Sequence, residues 1–273
     1  MNLSGLVRFL NEVKPFTQLV DEIRAGGAAP GPLSVPASAR AYVTAALASE
    51  LSRPTLIVTA RMDLATHYAE QLRAWMPQSE RVFVLADPDA LPYERVSWSR
   101  ETRQMRLAAL VALAEASLPG LHAVTVPPVV VATARSLMQM TLPARELRAS
   151  LRVLRRGQAV DLHKLLETWV GLGYRAMPVV EEPGTFSHRG GIIDIWSPNL
   201  AWPVRIELFG DEVDSLRAFD PTTQRTQTHV DAVVIAVASE ALPRLGPTAQ
   251  ERLTALDLRP CHPPARAEYE QEI

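Results

Sequence analysis

A chain of 273 residues with 47% hydrophobic content is long enough for about two domains and too apolar to stay unfolded throughout. Its 28 basic and 30 acidic residues leave a net charge of −2, which excludes any overall electrostatic pull toward DNA or an anionic membrane. A single cysteine, Cys261, excludes an intrachain disulfide and a cysteine-rich zinc site, and fits a reducing, cytoplasmic setting.

The opening stretch MNLSGLVRFLNEVKPF is amphipathic and broken by Glu12 and Lys14, so it is no secretory signal. No apolar run reaches the roughly 18–20 residues of a membrane span. Residues 1–24 read as a helix and 25–32 as a Gly/Ala/Pro linker. Short apolar runs then alternate with helical patterns. Strands are expected at Leu33–Val35, Thr55–Ala60, Arg81–Leu85 and Val129–Thr133, and helices near 38–51, 63–76 and 101–116. This alternation predicts an α/β domain over 31–139, a parallel sheet with helices on both faces. The texture changes after Pro143. A helix over Leu162–Leu172 stops at Gly173, and strands separated by Pro183-Gly184, Gly190-Gly191, Pro198-Asn199 and Gly210-Asp211 follow. They predict an inserted α+β domain with an antiparallel sheet over 140–226. Residues 227–273, with a strand at Ala232–Val237 and a helix near 247–256, are expected to begin a return to the first domain and to end at a fragment boundary.

The segment LSVPASARAYVTAAL occupies the place of a phosphate loop, which needs glycines for backbone closure, a lysine for phosphate and a hydroxyl for magnesium. Here Ala37, Ser38, Ala39, Arg40 and Ala41 stand instead. Alanine restricts the backbone, arginine replaces lysine, and Ala41 has no oxygen for a metal. The expected role is a plain strand-to-helix turn with Ser34 or Ser38 near the cap, without a bound cofactor.

Alternation sorts the side chains of the smaller domain. In PVRIELF, Val204, Ile206 and Leu208 point to the core, while Arg205, Glu207 and Phe209 form a stripe on the open face. In GTFSHRG, Thr185, Ser187 and Arg189 share one face, Phe186 and His188 the other. With Arg175 at the start of the first strand, Arg175, Arg189, Arg205 and Glu207 are candidates for one charged patch able to pair with carboxylates. A solvated sheet face gives the same pattern. Three other readings carry less. An acid–base or metal cluster of His188, Asp194, Glu207 and Asp211 lacks ligand spacing, and alternation alone does not bring Asp194 and Glu207 together. Cys261-His262 has no orienting third group. Arg100, Arg103 and Arg106 form either a phosphate-contacting stripe or a solvated helix face. Trp98 lies in a polar loop as a candidate exposed contact, and Trp169 and Trp196 as packing residues.

Four stretches resemble bacterial transcription-repair coupling factors: ASARAYVTAAL, the run Asp87–Leu110 with its L-P-Y, VVVATARSLMQMTLP, and above all Leu172–Thr226. The last holds G-x-F-x-x-R-G-x-x-x-D-[ILV] followed by V-R-I-E-x-F-G-D-E-[IV] and resembles the UvrA-interacting domain that UvrB shares with the coupling factors. UvrB itself fits less well, having an intact phosphate loop and a tyrosine-rich hairpin where this sequence has only Tyr93. The resemblance implies a module that binds UvrA, the family's contacting arginines and glutamate falling on Arg175, Arg189, Arg205 and Glu207. It implies no catalysis by this segment, with RNA polymerase, DNA and ATP engaged only by domains beyond residue 273. It also implies constitutive UvrA binding, because a distant covering domain would be missing. The alternative is a UvrB-like ATP-dependent repair helicase fragment that binds nucleotide and DNA.

Overall fold

The computed structural model describes residues 2–26, 31–90, 96–117, 126–264 and 266–267. Tyr93, half of the proposed linker and the end of the chain lie outside them. The described residues divide into two compact units, Met1–Ala149 and Ser150–Ile273.

The first unit opens with a 3₁₀ helix over Ser4–Glu12 and then α1 (Lys14–Arg24), where one continuous helix was expected. Pro15, in the first turn of α1, has no N–H to continue a helix begun upstream. The strand expected at Leu33–Val35 is absent. It is flanked by Pro32 and Pro36, neither of which has an N–H to give to a ladder. A 3₁₀ turn over Ala37–Ala39 leads into α2 (Arg40–Leu51), followed by β1 (Thr55–Thr59), α3 (Met62–Trp75), β2 (Val82–Leu85), α4 (Arg100–Ala116) and β3 (Val129–Thr133). The strands are parallel in the order β1-β3-β2. Every residue of the central β3 is buried, which is why its sequence is apolar without alternation. Val129 and Val131 pack in a cluster with alanines of α2 and α3 (Ala45, Ala46, Ala65, Ala69), small side chains that let the helices approach. Val130 and Ala132 pack with Ala109 of α4 and Leu85. The start of α4 is pinned by side chains: the Ser99 hydroxyl accepts from the Thr102 N–H at 3.1 Å, and the Asp89 carboxylate accepts from the Ser99 N–H at 2.9 Å and the Thr102 hydroxyl at 3.0 Å. Two short helices follow, α5 (Ala134–Leu137) and α6 (Ala144–Ser150).

The second unit holds β4 (Arg152–Arg155), α7 (Leu162–Gly171), β5 (Arg175–Ala176), β6 (Thr185–Arg189), β7 (Ile192–Trp196), β8 (Val204–Phe209), β9 (Glu212–Phe219), β10 (Thr226–His229), β11 (Ala232–Ile235) and α8 (Gly246–Thr254). Six strands form a sheet in the order β10-β9-β8-β7-β6-β5, antiparallel except for the short β5–β6 pair. Two-residue turns at Gly190-Gly191 and Gly210-Asp211, with longer connections between the other strands, produce this meander. Ile193, Ile195, Val204, Ile206 and Leu216 are buried on one face. Trp169 of α7 is fully buried, with its ring 5.7 Å from that of Phe186 and 6.3 Å from that of Tyr174. Gly173 ends this helix at φ +90°, and a Cβ there would lie 2.9 Å from the Cβ of Ser239, so the close approach requires glycine. The Tyr174 hydroxyl donates to Ala236 O at 2.8 Å and lies 2.8 Å from the Ser197 hydroxyl; burial pushes its pKa above the usual phenol range.

Residues 227–273 are expected to begin a return to the first domain; of them, β11 pairs antiparallel with β4 and belongs to the second unit. The apolar strand Ala232–Ile235 finds its ladder there, in β4, a strand the sequence reading had not identified. That unit begins at Ser150 rather than at 140.

Candidate partner-binding face

The outward face of the six-stranded sheet carries the predicted stripe. Across β7 and β8 the register sets Asp194 opposite Arg205 and Ile192 opposite Glu207; across β8 and β9 it sets Arg205 opposite Arg217 and Glu207 opposite Ser215. Directly opposed side chains share a face and lie close enough to bond. Arg205 grips Asp194 with two parallel bonds, Nε to Oδ1 at 2.7 Å and Nη2 to Oδ2 at 2.8 Å. Its Nη2 also donates to Gln224 Oε1 at 3.0 Å, and its guanidinium carbon sits 4.7 Å from the centre of the Phe219 ring. Hydrogen bonding to Asp194 holds the Arg205 pKa above its ordinary range, helped by the charges of Asp194 and Glu207 and opposed by partial burial. Glu207 accepts from Arg217 Nη2 and from the Ser215 hydroxyl, the latter at 2.7 Å. Arg205 and Glu207 therefore belong to separate ion pairs rather than to one another. Both are half-buried on the outer face, with 26% and 32% of their side chains exposed.

The remaining candidates differ in surroundings. Arg189 is exposed and donates from Nη2 to Pro178 O at 2.5 Å. With Arg205, Asp194 and Gln224 it lines a cleft of 330 Å³ whose apolar walls are Pro178, Val179 and Ile192. Arg175 is not part of this cleft: it lies on edge strand β5 with its guanidinium on Glu182. Phe209 is 84% exposed at the end of β8, beside Gly210 at φ +62°. A β-bulge between Glu207 and Leu208 precedes it, and there Gly191 meets the bulged strand, accepting from the Leu208 N–H at 2.8 Å.

Asp194 and Glu207, which alternation alone did not bring together, share this face. Each is engaged by an arginine, and His188 projects to the opposite side, where its Nε2 meets Gly190 O at 2.7 Å. Sequence reasoning missed Asp194, Arg217, Gln224 and Phe219 as parts of the face. The available signal was charge complementarity between the IIDIW and VRIELF strands; the missing quantity was their register.

The degenerate loop also takes definite form. Ala37–Ala39 make the 3₁₀ turn, and Ala39 caps α2 without any side-chain bond, so neither Ser34 nor Ser38 serves as the cap. Arg40 Nε donates to Val35 O at 3.4 Å, an arginine folded back on its own loop. The expected stripe Arg100, Arg103 and Arg106 does not share one face. Arg106 is fully buried, donates to Ala86 O at 3.1 Å and lies 5.0 Å from the Trp98 ring centre, while Arg100 and Arg103 are exposed. Helical geometry explains this: six residues advance about 240° round an α-helix, so Arg106 cannot follow Arg100 and Arg103. Trp98, expected as an exposed contact, is half-buried beneath that arginine. Cys261 and His262 are exposed.

The second unit thus presents a charged sheet face with an exposed aromatic at its edge. Residues 153–240 match the UvrB interaction domain family. Over 84% of its length the chain is 35% identical to a transcription-repair-coupling factor of Myxococcus xanthus, and over 89% it is 28% identical to that of Bacillus subtilis. A stretch of 87 residues is 49% identical to the transcription-repair-coupling factor of Staphylococcus epidermidis. The chain belongs to the transcription-repair-coupling factor family and carries its UvrB interaction domain. It spans about a fifth of the length of these relatives, 19% of the Myxococcus xanthus protein and 20% of the Bacillus subtilis protein. No helix among the described residues is long and apolar enough to cross a membrane.

Proposed function

We propose that the second unit is a docking module for UvrA, through which the excision-repair machinery is directed to RNA polymerase stalled at damage. The observation that supports this reading is the cleft shared by Arg189 and Arg205. It contains two guanidinium groups and one carboxylate, and that carboxylate is already occupied by Arg205. The surplus positive charge suits an acidic side chain of a partner, and the apolar walls at Val179 and Ile192 with the exposed Phe209 supply contact area around it. In this reading Arg189, Arg205, Glu207 and Phe209 form the contact surface, with Arg175 at its margin. The first unit acts as scaffold and carries out no nucleotide chemistry: the turn over Ala37–Ala39 has no glycine or lysine to offer a triphosphate, and Ala41 stands where a metal-binding hydroxyl is needed. RNA polymerase and DNA contacts belong to other parts of the family's proteins.

Surface capture of purified UvrA by the wild-type chain and by an Arg205→Ala/Glu207→Ala double variant tests the reading. The wild type binds and the variant does not. A wild type that fails to bind, or a variant that binds fully, removes it. Calorimetric titration with Mg-ATP separates the rival UvrB-like reading, which requires saturable nucleotide binding.

A further inference from the structure

Only two non-glycine residues among those described have a left-handed backbone, Ser52 at φ 48° and Gln224 at φ 59°. Ser52 simply terminates α2. Gln224 closes the turn between β9 and β10, where the Gln224 N–H donates to Asp220 O at 2.7 Å and the Asp220 N–H donates to Arg225 O at 2.9 Å. Asp220 Oδ1 tightens the same turn by accepting the N–H groups of Thr222 at 2.8 Å and Thr223 at 3.1 Å. Glycine or asparagine suits the left-handed position of such a turn; a longer side chain with a Cβ is strained there. Strain of this kind persists where the side chain has work that a glycine cannot do.

The side chain of Gln224 has such work. Its Nε2 donates to Pro221 O at 2.8 Å, which orients the amide, and its Oε1 then accepts from Arg205 Nη2 at 3.0 Å. Arg205 is thereby held from three directions: Asp194 along one edge, Phe219 beneath, and Gln224 at the Nη2 corner. Nη1 has no partner among the described residues, and Arg205 and Gln224 both line the 330 Å³ cleft. We infer that Gln224 is a positioning residue for partner recognition, kept in a strained turn so that its amide fixes the Arg205 guanidinium with Nη1 free for an incoming carboxylate. This rests on the reading of the face as the UvrA site. The amide contributes through Arg205, by restricting the guanidinium before contact rather than by touching the partner.

The test uses the full chain, with Gln224→Gly, which relieves the backbone and removes the amide, and Gln224→Met, which keeps the backbone strained and removes the acceptor. Gln224→Gly is expected to melt at or above the wild-type temperature while binding UvrA about fivefold more weakly. Gln224→Met is expected to lose the same affinity and to melt lower. In an Arg205→Ala background, adding Gln224→Gly is expected to change the affinity by less than about 1.5-fold. In ¹⁵N spectra the Arg205 Nη signals, resolved in the wild type, are expected to merge in both Gln224 variants as the group begins to rotate. Wild-type affinity in Gln224→Gly, or an equal loss in the Arg205→Ala background, overturns the inference. If the wild type itself does not bind UvrA, the docking reading fails separately. The Arg205 signals then decide whether Gln224 positions the guanidinium, and signals unchanged in Gln224→Gly show that it does not.

Discussion

Asp194 and Arg205 stand opposite each other on neighbouring strands and meet through two parallel bonds of 2.7 and 2.8 Å. The pair is partly exposed, so its contribution to stability is modest, about 1 kcal/mol or less. Its larger effect is on geometry, because a carboxylate fork matches a guanidinium and not an ammonium. Arg205→Lys keeps the charge and loses the fork. We expect UvrA binding about tenfold weaker with a stability loss smaller than about 1 kcal/mol, read by surface plasmon resonance and thermal unfolding. A variant that binds as the wild type does would show that charge alone suffices.

Phe209 makes the opposite case to a core phenylalanine. With 84% of it in solvent, its removal exposes no interior. Phe209→Ala should leave stability within about 0.5 kcal/mol of wild type. If the ring packs on the partner it should weaken binding about tenfold, the usual effect of truncating an aromatic anchor. Urea unfolding and a binding isotherm on the same protein separate the two effects.

Arg106 behaves as a core residue despite its charge. It is fully buried, bonds to Ala86 O at 3.1 Å and stacks on Trp98. Arg106→Ala removes these contacts together and leaves a cavity, with an expected loss of about 3 kcal/mol from the first unit. Chemical denaturation followed by far-ultraviolet circular dichroism measures it.

Asp89 gives the fold a sensitivity to acid. Hydrogen bonding from Ser99, joined by the Thr102 hydroxyl, holds its carboxyl below the usual carboxylate range. Its folded pKa is lower than its unfolded one, so the stabilisation is complete above the unfolded value and is lost as pH falls through the folded one. Below about pH 4 the wild type and Asp89→Asn should therefore converge in melting temperature, while near neutral pH the wild type melts higher. A constant gap between the two across the whole range would rule out this anchoring role for the carboxylate.

Much of this is legible in the amino-acid sequence alone. Residues whose environment is set by their own strand, such as Val204, Ile206 and Arg205, were assigned to the correct face, because period-two alternation is a local property of the chain. The parallel α/β unit followed from apolar runs such as Val129–Thr133 with the same directness. What escaped was whatever depends on register between segments. Asp194 meets Arg205 because seven residues, 197–203, join their strands, a turn at Pro198-Asn199 followed by further irregular residues, and nothing local counts that offset. Strand β4 is only four residues long and alternates poorly, so its pairing with β11 is not legible locally. Arg106 was assigned to a surface stripe because spacing by three suggests one face over a single step, but its error accumulates over two. At the degenerate loop the missing chemistry was legible residue by residue, whereas the identity of the cap was not, since capping depends on rotamers.

The pairing of β4 with β11 sets Arg152 beside Ile235. The segment from Arg152 to Ile235 therefore starts and finishes at a single doorway, before the unit continues into α8. Such an arrangement lets a whole module be spliced into a host protein, or traded between hosts, without stretching the surrounding loops. Grafting residues 150–237 onto an unrelated scaffold should accordingly transfer the recognition face with its ion pairs intact.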